Sequence, residues 1–211
     1  MSESTGSSAS DPALRPAGRD EVVRTTIQAA IELFSHRNPS QVSVREIAAN
    51  AGISHALVHR YMGSKQEIFT AALAAAREEA AQYWMREHGM SKTSATFDSD
   101  LPPGRYVRMA VRASLDGVPM NAQDLKLPHA DKMLEMLTST PFPANEAETP
   151  FDVRILFSAI TALTAGMAVA EGFFLAQSGL DSENPEYVHA EMNRLIRVIL
   201  TLADTKSADA E

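Results

Sequence analysis

Residues 43–62 carry start and stop signals for two short helices, and the tight turn between them constrains the fold more than any other feature of the chain. Ser43 can cap a helix through its hydroxyl group, and Glu46 follows three residues later at the spacing of a capping box. Gly52 predicts the end of that helix, and Ser54 can cap the next one. Two short helices joined in this way let the second enter the major groove of DNA while the first braces it. The pattern predicts a helix-turn-helix.

Helical patterns continue along the rest of the chain, and no run alternates convincingly with the period of two that a half-buried strand requires. Residues 20–36 predict a first helix, which ends where Asn38 tolerates a left-handed conformation and Pro39 blocks continuation. The predicted fold class is all-α: an N-terminal three-helix helix-turn-helix domain followed by a larger helical ligand-binding and dimerisation domain. Further helices are predicted from Lys65 onward, over 105–117, over 122–138 with a kink near Pro128, over 151–178 and over 185–204. The predicted divisions are a disordered leader at 1–18, the helix-turn-helix domain at 19–65, the larger domain at 66–204 and a polar tail at 205–211.

The absence of cysteine and the distribution of charge limit the functions that this chain can have. Without cysteine the chain has no thiolate nucleophile and no disulfide, which fits a reducing cytoplasm. The net charge is −8, but residues 19–65 hold six basic and four acidic side chains, a net of +2, so the remainder carries −10. The apolar stretch from Ile155 to Ala170 is interrupted by serine and threonine and is expected to fall short of a membrane span. We expect a cytoplasmic, nucleoid-associated protein.

The third helix offers a set of side chains at the place where a recognition helix meets DNA bases. His55, Ala56, Leu57 and His59 cluster at its start, and Arg45 flanks them from the second helix. Arginine can donate two parallel hydrogen bonds to guanine, and imidazole can donate to bases or phosphates. The residues expected to pack between the two helices are Ile47, Ala48, Ala51, Ile53, Val58 and Met62.

The segment VSVREIAANAGISHALVHRYMGSKQEIF resembles the DNA-binding region of the TetR family of bacterial repressors, and the resemblance covers about residues 20–70. It implies a repressor that binds a palindromic DNA operator as a homodimer and is released by a small apolar or amphipathic ligand. Three positions depart from the family pattern: His59 replaces a usual tyrosine, Met62 a usual phenylalanine, and Asn38-Pro39 a glycine with an aromatic residue. Because histidine titrates near neutral pH, a contact from His59 would make operator affinity depend on pH.

The resemblance also implies roles for individual residues. Bases would be contacted by Arg45, His55, Ala56, Leu57 and, in the place of the usual tyrosine, His59. Phosphates would be contacted by Ser43, Tyr61 and Lys65, since Ser43 and Lys65 stand at the starts of helices, where backbone N–H groups also favour anions.

Two further surfaces are expected in the larger domain. Helices of the family enclose an apolar inducer pocket, for which the candidates are Trp84, Tyr106, Met109, Met133 and Phe157, although ordinary core packing is the stronger reading of each one. The last two helices are so apolar that they are expected to pack against other helices, either within one bundle or in a second copy related by a two-fold axis. The predicted dimer interface comprises Ala159, Leu163, Gly166, Ala170, Phe173, Phe174, Met192, Leu195, Ile196 and Ile199.

The sequence gives less support to a metal site or an enzyme than to DNA binding. His55 and His59 stand four apart, as in half of a metal site, but the segment between them lacks the glutamate of a hydrolytic site and no third ligand adjoins it. We therefore predict no metal and no cofactor. With no phosphate loop, catalytic triad or carboxylate-histidine motif, the chain is not expected to be an enzyme. The alternative left open is a ligand-binding regulator that acts through protein partners without binding DNA.

Overall fold

A computed structural model describes residues 18–88, 100–121, 134–135 and 152–202. Within these ranges the chain is all-α, as predicted, with no strand. Seven α-helices and one short 3-10 helix are present there. Their bounds are α1, Arg19–His36; the 3-10 helix, Pro39–Gln41; α2, Val44–Asn50; α3, His55–Met62; α4, Lys65–His88; α5, Pro102–Leu115; α6, Val153–Ser178; and α7, Pro185–Leu202.

The turn between α2 and α3 has the geometry that its sequence predicts. Gly52 has a φ of +65°, a left-handed conformation that costs glycine little because it has no Cβ. The amide of Gly52 donates to the carbonyl of Ala49 and that of Ile53 to the carbonyl of Ala48, which closes the end of α2 in a Schellman motif. The turn therefore ends α2 and directs the chain into α3 within four residues.

One hydrophobic core joins α1, α2 and α3 to α4 and α5. Phe34 of α1 is fully buried, and its ring meets that of Phe69 of α4 edge to face, with the centroids 5.1 Å apart. The predicted helix-turn-helix core is confirmed: Ile47, Ala48 and Val58 are buried in this cluster, with Ala51, Ile53 and Met62 packed against it.

The corner between α1 and α2 departs from the prediction. Asn38 has φ −63° and ψ 144°, so it is extended rather than left-handed, and Pro39 opens the 3-10 helix that carries the chain round the corner. The reason is a distant partner: the Asn38 side chain donates to Asp116 and accepts from Arg112, both at the end of α5. The left-handed conformation predicted for Asn38 is therefore wrong.

Helix α5 begins at Pro102, three residues before its predicted start, because a proline is tolerated in the first turn of a helix. It ends in a second Schellman motif, in which Gly117 donates to Ser114 and Val118 to Ala113. The helix predicted over 122–138 and its kink near Pro128 lie outside the described residues, apart from 134–135.

Helices α6 and α7 form a separate and smaller apolar cluster, in which Met167 and Ile196 are buried. At Ala170 the backbone leaves helical geometry (φ −135°, ψ 30°), which kinks α6. Among the described residues, the segment Arg154–Ser178 is long and apolar enough to cross a membrane by length and composition alone. The expectation that this stretch falls short of that measure is wrong, because serine and threonine lower its hydropathy too little.

Candidate DNA-binding surface

The start of α3 presents the predicted base-reading side chains to solvent. His55, Ala56 and His59 are exposed, and Leu57 is half-buried. The imidazole rings of His55 and His59 lie on one face of the helix with their centroids 6.4 Å apart. The Arg45 side chain is exposed on the adjoining helix α2. The structure thus leaves all five predicted base-contacting side chains at least partly accessible.

Caps fix both ends of this short helix. At its start the backbone amide of Leu57 donates to the Ser54 hydroxyl oxygen at 3.4 Å, as the sequence predicts. At its end Gly63 has φ +75° and ψ −132°, and a Cβ at this position would lie 2.4 Å from a carboxylate oxygen of Glu67. The backbone conformation therefore favours glycine there, and an added Cβ would also displace the Glu67 carboxylate from its position.

The predicted phosphate-contacting residues all have neighbours within the chain. Ser43 donates through both its amide and its hydroxyl to Glu46 Oε2, each at 2.8 Å. Tyr61 is half-buried, with the guanidinium carbon of Arg60 5.4 Å from its ring centroid. The Lys65 ammonium donates to the carbonyl oxygen of Pro39 at 2.9 Å. Since an ammonium group has three donors, this contact leaves Lys65 with capacity for a phosphate.

Arg37 was not singled out in the sequence, yet it organises the start of α2. Its guanidinium donates to Glu46 Oε1 at 2.9 Å and also to the carbonyl oxygen of Gln41. The hydrogen bond from Arg37, followed by those from Ser43, lowers the pKa of Glu46 from 4.5 to about 2. The carboxylate of Glu46 thus remains ionised and holds the capping box of α2 in place.

A second capping box, at the start of α4, was also missed, although its signal was present in the spacing of Ser64 and Glu67. The amide and hydroxyl of Ser64 both donate to Glu67 Oε2 at 2.7 Å, and the Glu67 amide donates to the Ser64 hydroxyl at 3.2 Å. These bonds, the backbone one foremost, lower the pKa of the Glu67 carboxyl, and the nearby His59 adds a smaller effect in the same direction.

The predicted pocket residues that the structure describes lie in different parts of the chain. Tyr106 and Met109 are buried in the large core with α1 and α4. Phe157 packs in the smaller cluster with α7, and Trp84 is half-buried on α4. Met133 lies outside the described residues.

An apolar groove runs between α6 and α7. It encloses about 360 Å³ and opens beside a neighbouring groove of about 450 Å³ that shares Leu180, Val188 and Met192 with it. The ring of Phe174 lies against Gly166 in its wall, where an added Cβ would come within 3.3 Å of the ring. The other residues lining the first groove are Ala162, Leu163, Met167, Leu175 and Ser178.

Most of the predicted dimer residues lie at the surface of this helix pair. Phe173 is 62% exposed, Leu195 47% and Phe174 45%. Ala159 is also exposed, while Leu163, Gly166, Ala170, Met192 and Ile199 are half-buried. Ile196 is the exception: it is fully buried against Met167, so it belongs to the interior of the chain rather than to this surface.

Comparisons with known proteins agree with this architecture. Residues 27–72 match the sequence model of the bacterial regulatory proteins of the tetR family. The chain is 25% identical over 199 residues to an HTH-type transcriptional repressor of Mycobacterium tuberculosis and to an HTH-type transcriptional regulator of Mycobacterium bovis, with 91% of this chain and 96% of each relative covered. A TetR-family transcriptional regulator from Streptomyces coelicolor has a similar fold, with a TM-score of 0.50 and 21% identity over 89% of this chain and 83% of that one.

Proposed function

We propose that the chain is a regulator of the TetR family, whose sequence model its residues 27–72 match, and that it represses transcription as a homodimer bound to a palindromic operator. Members of this family are transcription factors, so the chain is a DNA-binding transcriptional regulator and not an enzyme. The observation that carries the proposal is the capped helix α3, which holds His55, Ala56 and His59 exposed beside Arg45. The relative from Mycobacterium tuberculosis is itself described as a repressor, which supports repression as the direction of control.

In this proposal α3 reads the major groove. Arg45, His55, Ala56, Leu57 and His59 contact bases, with Arg45 as the strongest single hydrogen-bonding reader because its guanidinium can donate two bonds to guanine. The phosphates on either side are held by Ser43, Tyr61 and Lys65. The head at 19–65 thus binds DNA, while residues 66–204 serve dimerisation and ligand binding, in a protein that acts in the cytoplasm on the nucleoid.

The homodimer is supported by the exposed apolar face of α6 and α7. A second copy related by a two-fold axis would cover Phe173, Phe174 and Leu195 in a four-helix contact. The same pairing explains why α6 is apolar enough to pass for a membrane span while almost none of it is buried inside the chain. A two-fold dimer presents two recognition helices to half-sites about 34 Å apart.

Release by a small apolar or amphipathic ligand completes the proposal. The groove between α6 and α7 has the volume and the apolar lining of a small-molecule site. It shares Leu163, Gly166, Phe174 and Met192 with the proposed dimer face. A ligand seated there would therefore act on the pairing of the two copies and so on the separation of their heads.

The test is enrichment of genomic DNA fragments on the purified protein at low salt, with the wild type compared with Leu195→Glu and Ala74→Glu. Leu195→Glu places a charge in the proposed dimer face and should raise the dimer dissociation constant by about 100-fold, because an unpaired buried charge costs several kcal/mol. Ala74→Glu adds the same charge at an exposed site on α4 and should change neither dimerisation nor enrichment. Palindromic fragments recovered by the wild type and by Ala74→Glu, but not by Leu195→Glu, would support the proposal. If a folded, dimeric wild type enriched no fragments, the alternative of a regulator acting through protein partners would replace it.

The roles of Arg45 and Lys65 are separable on the recovered operator. Arg45→Ala should relax sequence preference by about 1–3 kcal/mol at one base pair, whereas Lys65→Ala should weaken binding to all sequences similarly. Affinities for single-base operator variants measure the difference. Uniform losses in both variants would show that Arg45 does not read a base.

A further inference from the structure

The end of α5 contacts the corner that precedes the helix-turn-helix, across more than seventy residues of sequence. Asp116 Oδ2 accepts a hydrogen bond from the backbone amide of Ser40 at 2.7 Å. Its other oxygen, Oδ1, accepts from the side-chain amide of Asn38 at 3.4 Å. One carboxylate therefore holds two residues of the corner at Asn38–Gln41.

Other polar contacts converge on the same corner. Arg112, one turn before Asp116 on α5, donates to the side-chain oxygen of Asn38 at 3.3 Å. Lys65 at the start of α4 donates to the carbonyl of Pro39 at 2.9 Å, and its charge is close enough to act on Asp116. Together with the Ser40 hydrogen bonds, which have the larger effect, this charge lowers the pKa of Asp116. The carboxylate is ionised at neutral pH.

Both partners in this contact are themselves fixed. Asp116 caps α5 immediately before Gly117, where the Schellman motif sets the backbone. On the other side, Ser40 lies in the 3-10 helix, which ends at Gln41 and is followed by Val42, which is only 1% exposed, and then by Ser43, the cap of α2. A shift of Ser40 therefore moves the first turn of α2, which carries Arg45.

We propose that Asp116 is a positioning residue for DNA binding, which fixes the orientation of α2 and α3 by holding Ser40 and Asn38 against the end of α5. Asp116 does not contact DNA; it acts through the corner. The inference rests on the proposed function, because it takes the surface of α2 and α3 as the one that meets the operator. Asp116 lies outside the helix-turn-helix, yet in this proposal it contributes to the affinity for DNA. The reason is that a pre-organised binding surface loses less entropy on binding.

The experiment compares the full-length wild type with Asp116→Ala, Asp116→Asn and a matched control, Asp152→Ala. Asp152 is also a hydrogen-bonded carboxylate with a lowered pKa, but it caps α6 and is hydrogen-bonded by Arg154. Affinities for the enriched operator and for a scrambled duplex of equal length are measured by fluorescence anisotropy. Hydrogen exchange at the Ser40 amide reports the contact itself, and circular dichroism gives the fraction of folded protein.

Asp116→Ala should weaken operator binding about tenfold, the cost of one charge-assisted hydrogen bond, and should weaken binding to the scrambled duplex much less. The Ser40 amide should exchange faster in this variant. Asp116→Asn keeps an acceptor and should fall between it and the wild type. Asp152→Ala should lower the melting temperature without changing operator affinity or exchange at Ser40.

Two results would overturn the inference while leaving the proposed function intact. One is operator affinity within twofold of wild type in folded Asp116→Ala. The other is an equal loss on both duplexes, as expected if the variant only lowers the fraction of folded protein. If the wild type bound no operator at all, the proposed function would fail and this inference would fall with it.

Discussion

The N-terminal head, residues 19–65, and the pair formed by α6 and α7 differ in how much of their apolar surface is buried within one chain. In the head, α1, α2 and α3 share one core with α4 and α5, and the starts of α2, α3 and α4 are capped by serine side chains. In the helix pair the buried cluster is small, and large apolar side chains such as Phe173 and Leu195 face outward. The head completes its core within one chain. The helix pair leaves apolar surface of the kind that a second copy covers.

The same substitution in the two regions should have different consequences. Phe34→Ala removes a fully buried ring and should lower the free energy of unfolding by about 3–5 kcal/mol, whatever the protein concentration. Phe173→Ala removes a ring that is 62% exposed in one chain, so it should leave the folding of that chain nearly unchanged and raise the dimer dissociation constant about tenfold.

Chemical denaturation at several protein concentrations, together with sedimentation equilibrium, measures both effects. If Phe173→Ala lowered stability as much as Phe34→Ala and left the dimer intact, Phe173 would be a core residue and the comparison would fail.

Substituting one glycine in each region, Gly63 and Gly172, should also change stability in opposite directions, by smaller amounts. Gly63→Ala should destabilise the protein by roughly 1–3 kcal/mol, because the new Cβ meets the Glu67 carboxylate and the backbone conformation there suits only glycine. Gly172→Ala, in α6, meets no atom within 4 Å and should stabilise the helix by about 0.5–1 kcal/mol. Melting temperatures of the two variants test this, and a stabilising Gly63→Ala would show that the cap of α4 tolerates a side chain.

Acid should lower the stability of the head and of the helices packed against it, by less than the ring and glycine substitutions described above. The pKa values of Glu46, Glu67 and Asp116 are lowered in the folded state, so their contribution to stability is present above their ordinary pKa and is lost as pH falls through the folded values. For Glu46 this window runs from 4.5 down to about 2. Amide hydrogen exchange in α2 should therefore accelerate as pH falls from 4.5 to about 2, relative to α7, after correction for the intrinsic rate. Glu46→Gln should flatten this dependence, and an unchanged profile would contradict the role given to Glu46.

The local features of the head were predictable because their signals lie within a few residues of one another. The bounds of α3 follow from Ser54 and Gly63, and the start of α4 follows from the break before Lys65. Capping depends on short-range spacing, which a sequence displays directly. The exposed positions of His55 and His59 follow from the same register.

The long-range contacts were not predictable in this way. Ser40 and Asp116 are 76 residues apart, and nothing near either residue indicates the other. Periodicity also failed to separate interior from surface in the helix pair, because neighbouring apolar residues such as Leu195 and Ile196 point in different directions and only the position of α6 decides which is buried. The sequence likewise does not show which helices cover Tyr106 and Met109, which the structure buries in the core shared with α1 and α4.

The core that runs without interruption from α1 to α5 limits how this protein can be recombined. A chimera that exchanged residues 19–65 would place Phe34 and Phe69 in segments from different proteins, and likewise Ser40 and Asp116. The packing and hydrogen-bond contacts between the new head and the rest of the chain would then not match. The unit that can be transplanted is larger than the DNA-reading segment and extends past the end of α5 to Val118, which packs against the same core. Engineered regulators built from this chain should therefore change specificity by substitutions on the surface of α3, leaving the junction at residue 65 uncut.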